Sequence, residues 1–305
     1  MARIAVVGSL NMDLVAQVAT LPAVGETVGE ARFATFPGGK GANQAVAAAR
    51  LGAEVAMIGR VGDDAYGAAL RQGLIRDGVA TAHIGTDPTR ASGVALIAVD
   101  AKGANTIIVA PGANAALSPA DVDGARDVIA AADVLLMQFE TPIDASIRAA
   151  EIARAAGVTT LLNPAPARSV PAALAALVDW IVPNETEAAL VLRHPMAAIA
   201  DDPADAAIAL RRETGVANII ITLGGNGALL ATPETTLSLP APTVAVVDTV
   251  AAGDAFIAGF AVALAEGRAL EGALRMALAA GSLACAKAGA QDALPARAAV
   301  DTLLG

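Results

Sequence analysis

Ile4-Ala5-Val6-Val7-Gly8-Ser9-Leu10-Asn11-Met12-Asp13 holds the pattern on which the rest of the chain is built. Four consecutive apolar residues without alternation suit a strand covered on both faces, as in a parallel sheet between helical layers. Gly8 closes the run, and polar residues follow at its C-terminal exit. Asn11 and Asp13 stand two residues apart, so in extended chain they face the same side. Such a pair can bind adjacent hydroxyls; forming a turn is the other common use of Asn and Asp. Gly8 is not followed by G-x-G-x-x-G spacing, which excludes a dinucleotide fingerprint.

The same grammar recurs downstream. Residues 55–58 read as a strand followed by Arg60-Val61-Gly62-Asp63-Asp64 and a helical segment at 65–75. The strand at 134–137 exits into Gln138 and Glu140, with a helix over 144–156 that stops at Gly157. The strand at 158–162 exits into Asn163-Pro164-Ala165-Pro166, and that at 180–182 into Pro183-Asn184-Glu185-Thr186-Glu187. The strand at 218–221 exits into Thr222-Leu223-Gly224-Gly225-Asn226-Gly227. Strands alternating with helices predict an α/β fold with a mainly parallel central sheet and right-handed crossovers. Polar residues fall repeatedly just after strands, where open α/β sheets bind ligands.

Two segments break the alternation. Residues 15–36 contain Pro22 and Gly25 and alternate in part, around Thr27, Val28, Arg32 and Phe33. Residues 92–109 read as a hairpin, with strands at 94–99 and 106–109 around Asp100-Ala101-Lys102-Gly103. These β excursions predict a small extra sheet. No repeat, low-complexity tail or linker divides the chain, which predicts one domain over 1–305.

Two glycine-containing stretches precede helices. Pro37-Gly38-Gly39-Lys40-Gly41-Ala42-Asn43-Gln44 leads into a helical run at 45–51. It is not a Walker A loop, because Gly41 rather than Ser or Thr follows Lys40. Val246-Val247-Asp248-Thr249-Val250-Ala251-Ala252-Gly253-Asp254-Ala255-Phe256 passes from a strand-like segment through small residues into a helix whose buried face is Phe256, Ile257, Phe260, Ala261 and Leu264. Small residues at a helix start let an anion approach N–H groups that lack internal partners. Asp254 beside such a site can take a proton from an attacking hydroxyl; its other reading is a helix N-cap.

Composition narrows the chemistry. The chain of 305 residues is 55% hydrophobic but 2% aromatic, so Ala, Val and Leu must build the core. Thirty acidic against twenty basic residues give a net charge of −10, which argues against nucleic acid and anionic membranes as partners. The apolar run at 255–265 is far shorter than the roughly 20 residues of a membrane span. Cys285 is the only cysteine, so no internal disulfide forms; it sits in an Ala-rich helical pattern that suggests a small core residue. With no signal-peptide layout at Met1-Ala2-Arg3-Ile4, a cytoplasmic protein is expected. His83 and His194 lack the spacing of a zinc site, and no G-x-S-x-G elbow is present. A phosphate site at a helix start, a neighbouring carboxylate, Lys40 in a Gly-rich stretch and acidic residues able to hold Mg²⁺ through water suit phosphoryl transfer.

These segments, taken together and in order, resemble the ribokinase-like sugar kinase family over essentially the whole chain. The match rests on residues 8–13, Gly38-Gly39-Lys40-Gly41-Ala42-Asn43-Gln44-Ala45, residues 135–140, Asn163-Pro164-Ala165-Pro166-Ala167, residues 183–187 and Asp248-Thr249-Val250-Ala251-Ala252-Gly253-Asp254. The resemblance implies ATP-dependent transfer of the γ-phosphoryl group to the 5-hydroxyl of D-ribose. It makes Asp254 the general base, with Ala251, Ala252 and Gly253 as the anion hole. It gives the sugar to Asn11, Asp13, Gly39, Lys40, Asn43 and Glu140. ATP falls to Asn184, Thr222, Gly224, Gly225, Gly227 and Gly253. Mg²⁺ is organised by Asn184 and Glu187, mainly through water. A monovalent cation, usually potassium, falls to Asp248 and the carbonyls of Val250, Ala284, Lys287 and Gly289. It also implies that the β excursions, about 15–36 and 92–109, form a lid that pairs with a second subunit in a homodimer. Three positions depart from the pattern: Ala293 replaces a common Ser beside the cation, Leu278 replaces Asn or His near the adenine, and Asn226 replaces a basic residue. A related sugar or nucleoside kinase, or a non-catalytic sugar- or nucleotide-binding regulator, is the alternative reading.

Overall fold

A computed structural model describes residues 1–305. Its main sheet has nine strands, in the order Thr236–Leu239, Ala228–Ala231, Asn218–Thr222, Trp180–Ile181, Thr159–Leu162, Val134–Met137, Arg3–Val7, Glu54–Gly62 and Ala80–Asp87. The seven strands from Asn218–Thr222 to Ala80–Asp87 are mutually parallel; at the other end Ala228–Ala231 pairs antiparallel with both Asn218–Thr222 and Thr236–Leu239. The chain starts in the middle, at Arg3–Val7, builds outward to Ala80–Asp87, then returns to lay Val134–Met137 on the opposite side of Arg3–Val7. The direction of building reverses there, and a crevice opens at the strands' carboxyl ends.

The unalternated apolar runs have the expected cause, since both faces of the sheet are covered. Ile4, Val6 and Leu136 join one core layer, packed on helices Lys40–Arg50, Ala252–Ala265 and Leu270–Ala284. Ala5, Val7, Leu135 and Met137 join the other, against Ile143–Ala156 and Pro203–Thr214. Scarcity of aromatics is met by close approach of helices. A Cβ at Gly259 would lie 3.0 Å from the Ala277 Cα, so Ala252–Ala265 and Leu270–Ala284 meet nearly backbone to backbone. Trp180 and Phe260 make an edge-to-face pair with centroids 5.0 Å apart.

A separate four-stranded sheet has the order Arg32–Gly38, Asn11–Gln17, Gly93–Val99, Asn105–Ala110. Its middle pair is parallel and its outer pairs are antiparallel. The two β excursions thus pair with each other, and the hairpin read at 92–109 forms with Val94 opposite Ala110. The first excursion differs in extent. Its strand begins at Asn11, and residues 18–31 lie outside any strand, so the alternation around Thr27 and Val28 builds none. Pro22 and the left-handed Gly25, with φ 84°, interrupt it.

Three other elements depart from the sequence reading, the first being the helix read at 45–51, which runs over Lys40–Arg50. Glu54–Gly62 runs past residue 58, because Arg60, Val61 and Gly62 continue pairing with Gly85, Thr86 and Asp87. The strand-like Val246-Val247 is not a strand. Both side chains are exposed, at 67% and 62%, and the N–H groups of Val247 and Asp248 donate to the Cys285 carbonyl at 2.8 and 3.2 Å. Pro240 and Pro242 follow the last strand and prevent its extension. No helix is long and apolar enough to cross a membrane.

Candidate active site

Glycines set the first wall. Helix Lys40–Arg50 begins against the exit of Arg3–Val7, and Gly39 precedes it with φ 89°. A Cβ at Gly39 would lie 2.7 Å from the Asn11 nitrogen, and one at Gly41 2.6 Å from the Ser9 nitrogen. Only glycine permits this approach, which lets the Ala42 N–H reach the Ser9 carbonyl at 2.9 Å. The Lys40 N–H donates to Glu140 Oε2 at 3.1 Å, and the Ser9 hydroxyl donates to the same oxygen. Three distant segments therefore meet at one carboxylate. Asn11 is fixed by Asn114, whose Nδ2 donates to Asn11 Oδ1 at 2.8 Å while its Oδ1 accepts from the Leu10 N–H at 2.9 Å.

Asp254 forms the floor. Helix Ala252–Ala265 starts after Ala251, which is left-handed at φ 60°. Asp254 is the third helical residue and caps nothing, so the N-cap reading is corrected. Its buried carboxylate accepts from Asn43 Nδ2 and Gln44 Nε2, both at 3.0 Å. The Ala252 N–H donates to the Thr249 carbonyl at 3.3 Å, whereas the N–H groups of Ala251, Gly253 and Asp254 have no acceptor in the protein. Of the run 251–253, Ala251 and Gly253 thus keep unpartnered N–H groups, and Asp254 adds a third.

Like charges crowd this space. Burial pushes the Asp254 carboxyl up, and Lys40, Asn43 and Gln44 oppose that rise. Asp13 is pushed up to about 7, by burial first and then by Glu140 and Asp254. Burial alone would lower Lys40, but Asp254, Glu140 and Glu187 hold its ammonium above the usual range. Burial also raises Glu187. Glu187 closes a capping box with Asn184: its oxygens accept the Asn184 N–H at 2.9 Å and Nδ2 at 3.1 Å. The structure thus gathers Asp13, Lys40, Asn43, Glu140 and Glu187 around Asp254, and sets Gly39, next to Lys40, against Asn11.

Beyond Gly253 lies a cleft of about 410 Å³, lined by Thr222, Gly224, Gly225, Gly227, Thr249, Ala252, Gly253, Phe256 and Leu278, among others. Its walls are mostly small or apolar, as suits a flat base and a phosphate chain. Asn226 is exposed and outside the lining. Cys285 lines the cleft and is half-buried rather than a core residue, because it follows the last turn of Leu270–Ala284. Beside the cleft, Asp248 accepts the N–H groups of Val250 and Gly289 at 3.1 and 3.0 Å. Ala284 ends its helix, and the Lys287 ammonium donates to the Asp292 carbonyl at 2.7 Å. Ala293 is buried in the turn Gln291–Ala293.

The match to known proteins follows the same arrangement. The profile of the pfkB family carbohydrate kinases matches residues 1–297. The chain belongs to this family. Among pfkB family carbohydrate kinases, Bacillus subtilis ribokinase is 41% identical over 304 residues, covering 100% of both chains. Haemophilus influenzae ribokinase is 39% identical over 292 residues, covering 96% of this chain and 95% of its own. The solved structure of an Arabidopsis thaliana ribokinase complexed with ribose and ATP superposes with a TM-score of 0.91 at 33% identity, covering 100% of this chain and 99% of the other. The fold is ribokinase-like, as the sequence resemblance implied.

Ser9, Asn114, Gln44, Gln138 and Gln291 are the site residues to which sequence reasoning gave no role. All five are buried. The available signal was a polar residue inside a stretch of small ones, as in Gly112-Ala113-Asn114-Ala115-Ala116.

Proposed function

We propose that this chain is an ATP-dependent ribokinase that phosphorylates the 5-hydroxyl of D-ribose. The observation that carries the reading is the buried Asp254 carboxylate, flanked by unpartnered N–H groups and lying between a polar cluster and a nucleotide-sized cleft. Asn11, Asp13, Lys40, Asn43 and Glu140 offer hydrogen bonds to a small polyol. The cleft takes ATP, with Thr222, Gly224, Gly225 and Gly227 along its wall and Asn184 near the phosphates. Asp254 takes the proton of the primary hydroxyl as its oxygen attacks the γ-phosphorus and ADP leaves. The N–H groups at the helix start receive the charge that develops on the transferring group.

Two metal sites belong to the same proposal. Glu187 already accepts two N–H groups from Asn184, which suits an outer role toward Mg²⁺, through water. Asp248 and the carbonyls of Val250, Ala284, Lys287 and Gly289 form an all-oxygen set of the kind hard cations take, and potassium is its proposed occupant. Held by these residues, the cations would supply positive charge beside the phosphates and the helix start. The small sheet acts as a lid over the sugar and as the surface of a two-fold dimer, within a single domain over 1–305. A cytoplasmic setting completes the proposal.

Asp254→Asn tests the reading. It keeps shape and removes the proton acceptor, so kcat for ribose falls by about 10²–10⁴-fold while nucleotide affinity persists. Near-normal ribose phosphorylation by this variant rejects Asp254 as the base.

A further inference from the structure

The assignment of Asp254 as base leaves unexplained why so many amides are buried behind it. An ionised carboxylate only accepts hydrogen bonds. Asn43 and Gln44 must therefore turn their NH₂ groups toward Asp254, and their carbonyl oxygens face away. Each oxygen then meets a further amide: Gln138 Nε2 donates to Gln44 Oε1 at 2.7 Å, and Gln291 Nε2 donates to Asn43 Oδ1 at 3.3 Å. Two chains of amides, Gln138 to Gln44 and Gln291 to Asn43, converge on one carboxylate. Gln138 is 0% exposed and cannot touch a ligand.

Gln138 also bears a cost. Its Oε1 is buried without any hydrogen-bond partner, a destabilising condition. Turning the amide over would put that oxygen against Gln44 Oε1 and break the chain. Met fills similar space with no orphaned polar atom, so space-filling does not account for a glutamine here.

Resting on the reading of Asp254 as base, we propose that Gln138 and Gln291 are positioning residues. They fix the polarity of the Gln44 and Asn43 amides, and through them the orientation of the Asp254 carboxylate. Without Gln138, the Gln44 amide is free to turn its oxygen toward Asp254. That contact repels the carboxylate and favours its protonated form. The charged groups acting on Asp254 are Lys40, which favours its ionised form, and Glu140, Asp13 and Glu187, which oppose it. Helix Leu270–Ala284, packed alongside, adds none near the site; its Glu271 and Arg275 pair with each other on the surface.

The test compares Gln138→Met, Gln138→Glu and Gln291→Met with the wild type and Asp254→Asn, all as the full chain. Ribose phosphorylation is followed from about pH 5 to 9, with kcat and both KM values separated. Gln138→Met should lower kcat about tenfold near neutrality, the scale of one charge-assisted hydrogen bond. Its acid limb should move to higher pH, most of the loss should disappear at high pH, and the KM for ATP should stay within about twofold. Gln291→Met should move the same limb by less, because its bond is longer. Gln138→Glu, nearly isosteric, can donate to Gln44 only while its buried carboxyl is protonated, so it should outperform Gln138→Met at low pH and lose that advantage as pH rises; a purely steric role predicts an advantage that ignores pH. A pH profile of Gln138→Met that overlays the wild type, with Asp254→Asn inactive, overturns the positioning role alone. An active Asp254→Asn overturns the base assignment itself. Should Gln138→Glu fail to fold, the two Met variants still decide the matter by their acid limbs.

Discussion

Replacing Asp13 by Asn should make the sugar-free protein more stable, and only above a defined pH. The Asp13 carboxyl rises from 3.8 to about 7, by burial first and by Glu140 and Asp254 after it, and no hydrogen bond to the protein contributes. A carboxyl with a raised folded pKa binds its proton more tightly in the native state than in the unfolded chain. Stability therefore falls as pH climbs from about 3.8 toward 7 and is level beyond. At about 1.36 kcal/mol per unit, three units set an upper bound of roughly 4 kcal/mol. Screening of a half-buried group reduces this, and about 2 kcal/mol is the working expectation. Asn keeps the shape and removes the charge. Urea unfolding without ribose should show Asp13→Asn more stable by about that amount at pH 8, with the gap closing toward pH 4. Ribose affinity should move the other way, because an ionised Asp13 is the better acceptor for sugar hydroxyls. An Asp13→Asn protein no more stable than wild type at pH 8, or a gap that ignores pH, would refute the reasoning.

Two further outcomes test the assembly around the site. Ribose phosphorylation should run faster in potassium than in sodium at matched ionic strength, with a modest ratio because Ala293 offers no hydroxyl; equal rates in the two salts would remove the cation from the account. Phe33 and Ile108 of the small sheet are 65% and 66% exposed, and strand Asn105–Ala110 leaves a free edge, so sedimentation should find a dimer. A monomer alone at micromolar concentration would count against the paired sheets.

The parallel sheet was legible because its cause is local. A strand covered on both faces must be apolar without alternation, and residues 4–7, 134–137 and 219–221 say so one segment at a time. The hairpin at 92–109 was legible for the same reason, its turn lying between its strands. Val246-Val247 misled because β-branched composition reports a preference, while a strand also needs an edge to pair with. Two prolines and the Cys285 carbonyl decided that segment from outside it. Residues 18–31 failed likewise, their partial alternation cut by Pro22 and Gly25.

In the site, the groups proposed to face a ligand stood out because they follow strands or lie at helix starts, positions where polar side chains reach open space. The groups that hold them did not. Ser9 joins Glu140 across 131 positions of chain, Asn114 joins Leu10 across 104, and Gln291 joins Asn43 across 248. None of these pairings has a local periodicity, so no window of sequence contains both partners. What betrays them is burial: an amide or hydroxyl removed from water needs a partner, and Asn43, Gln44, Gln138 and Gln291 find theirs in one another and in Asp254. The amides buried around Asp254 thus hold one carboxylate in a fixed frame that no single stretch of sequence contains, while alanine and glycine let the surrounding helices close in behind it.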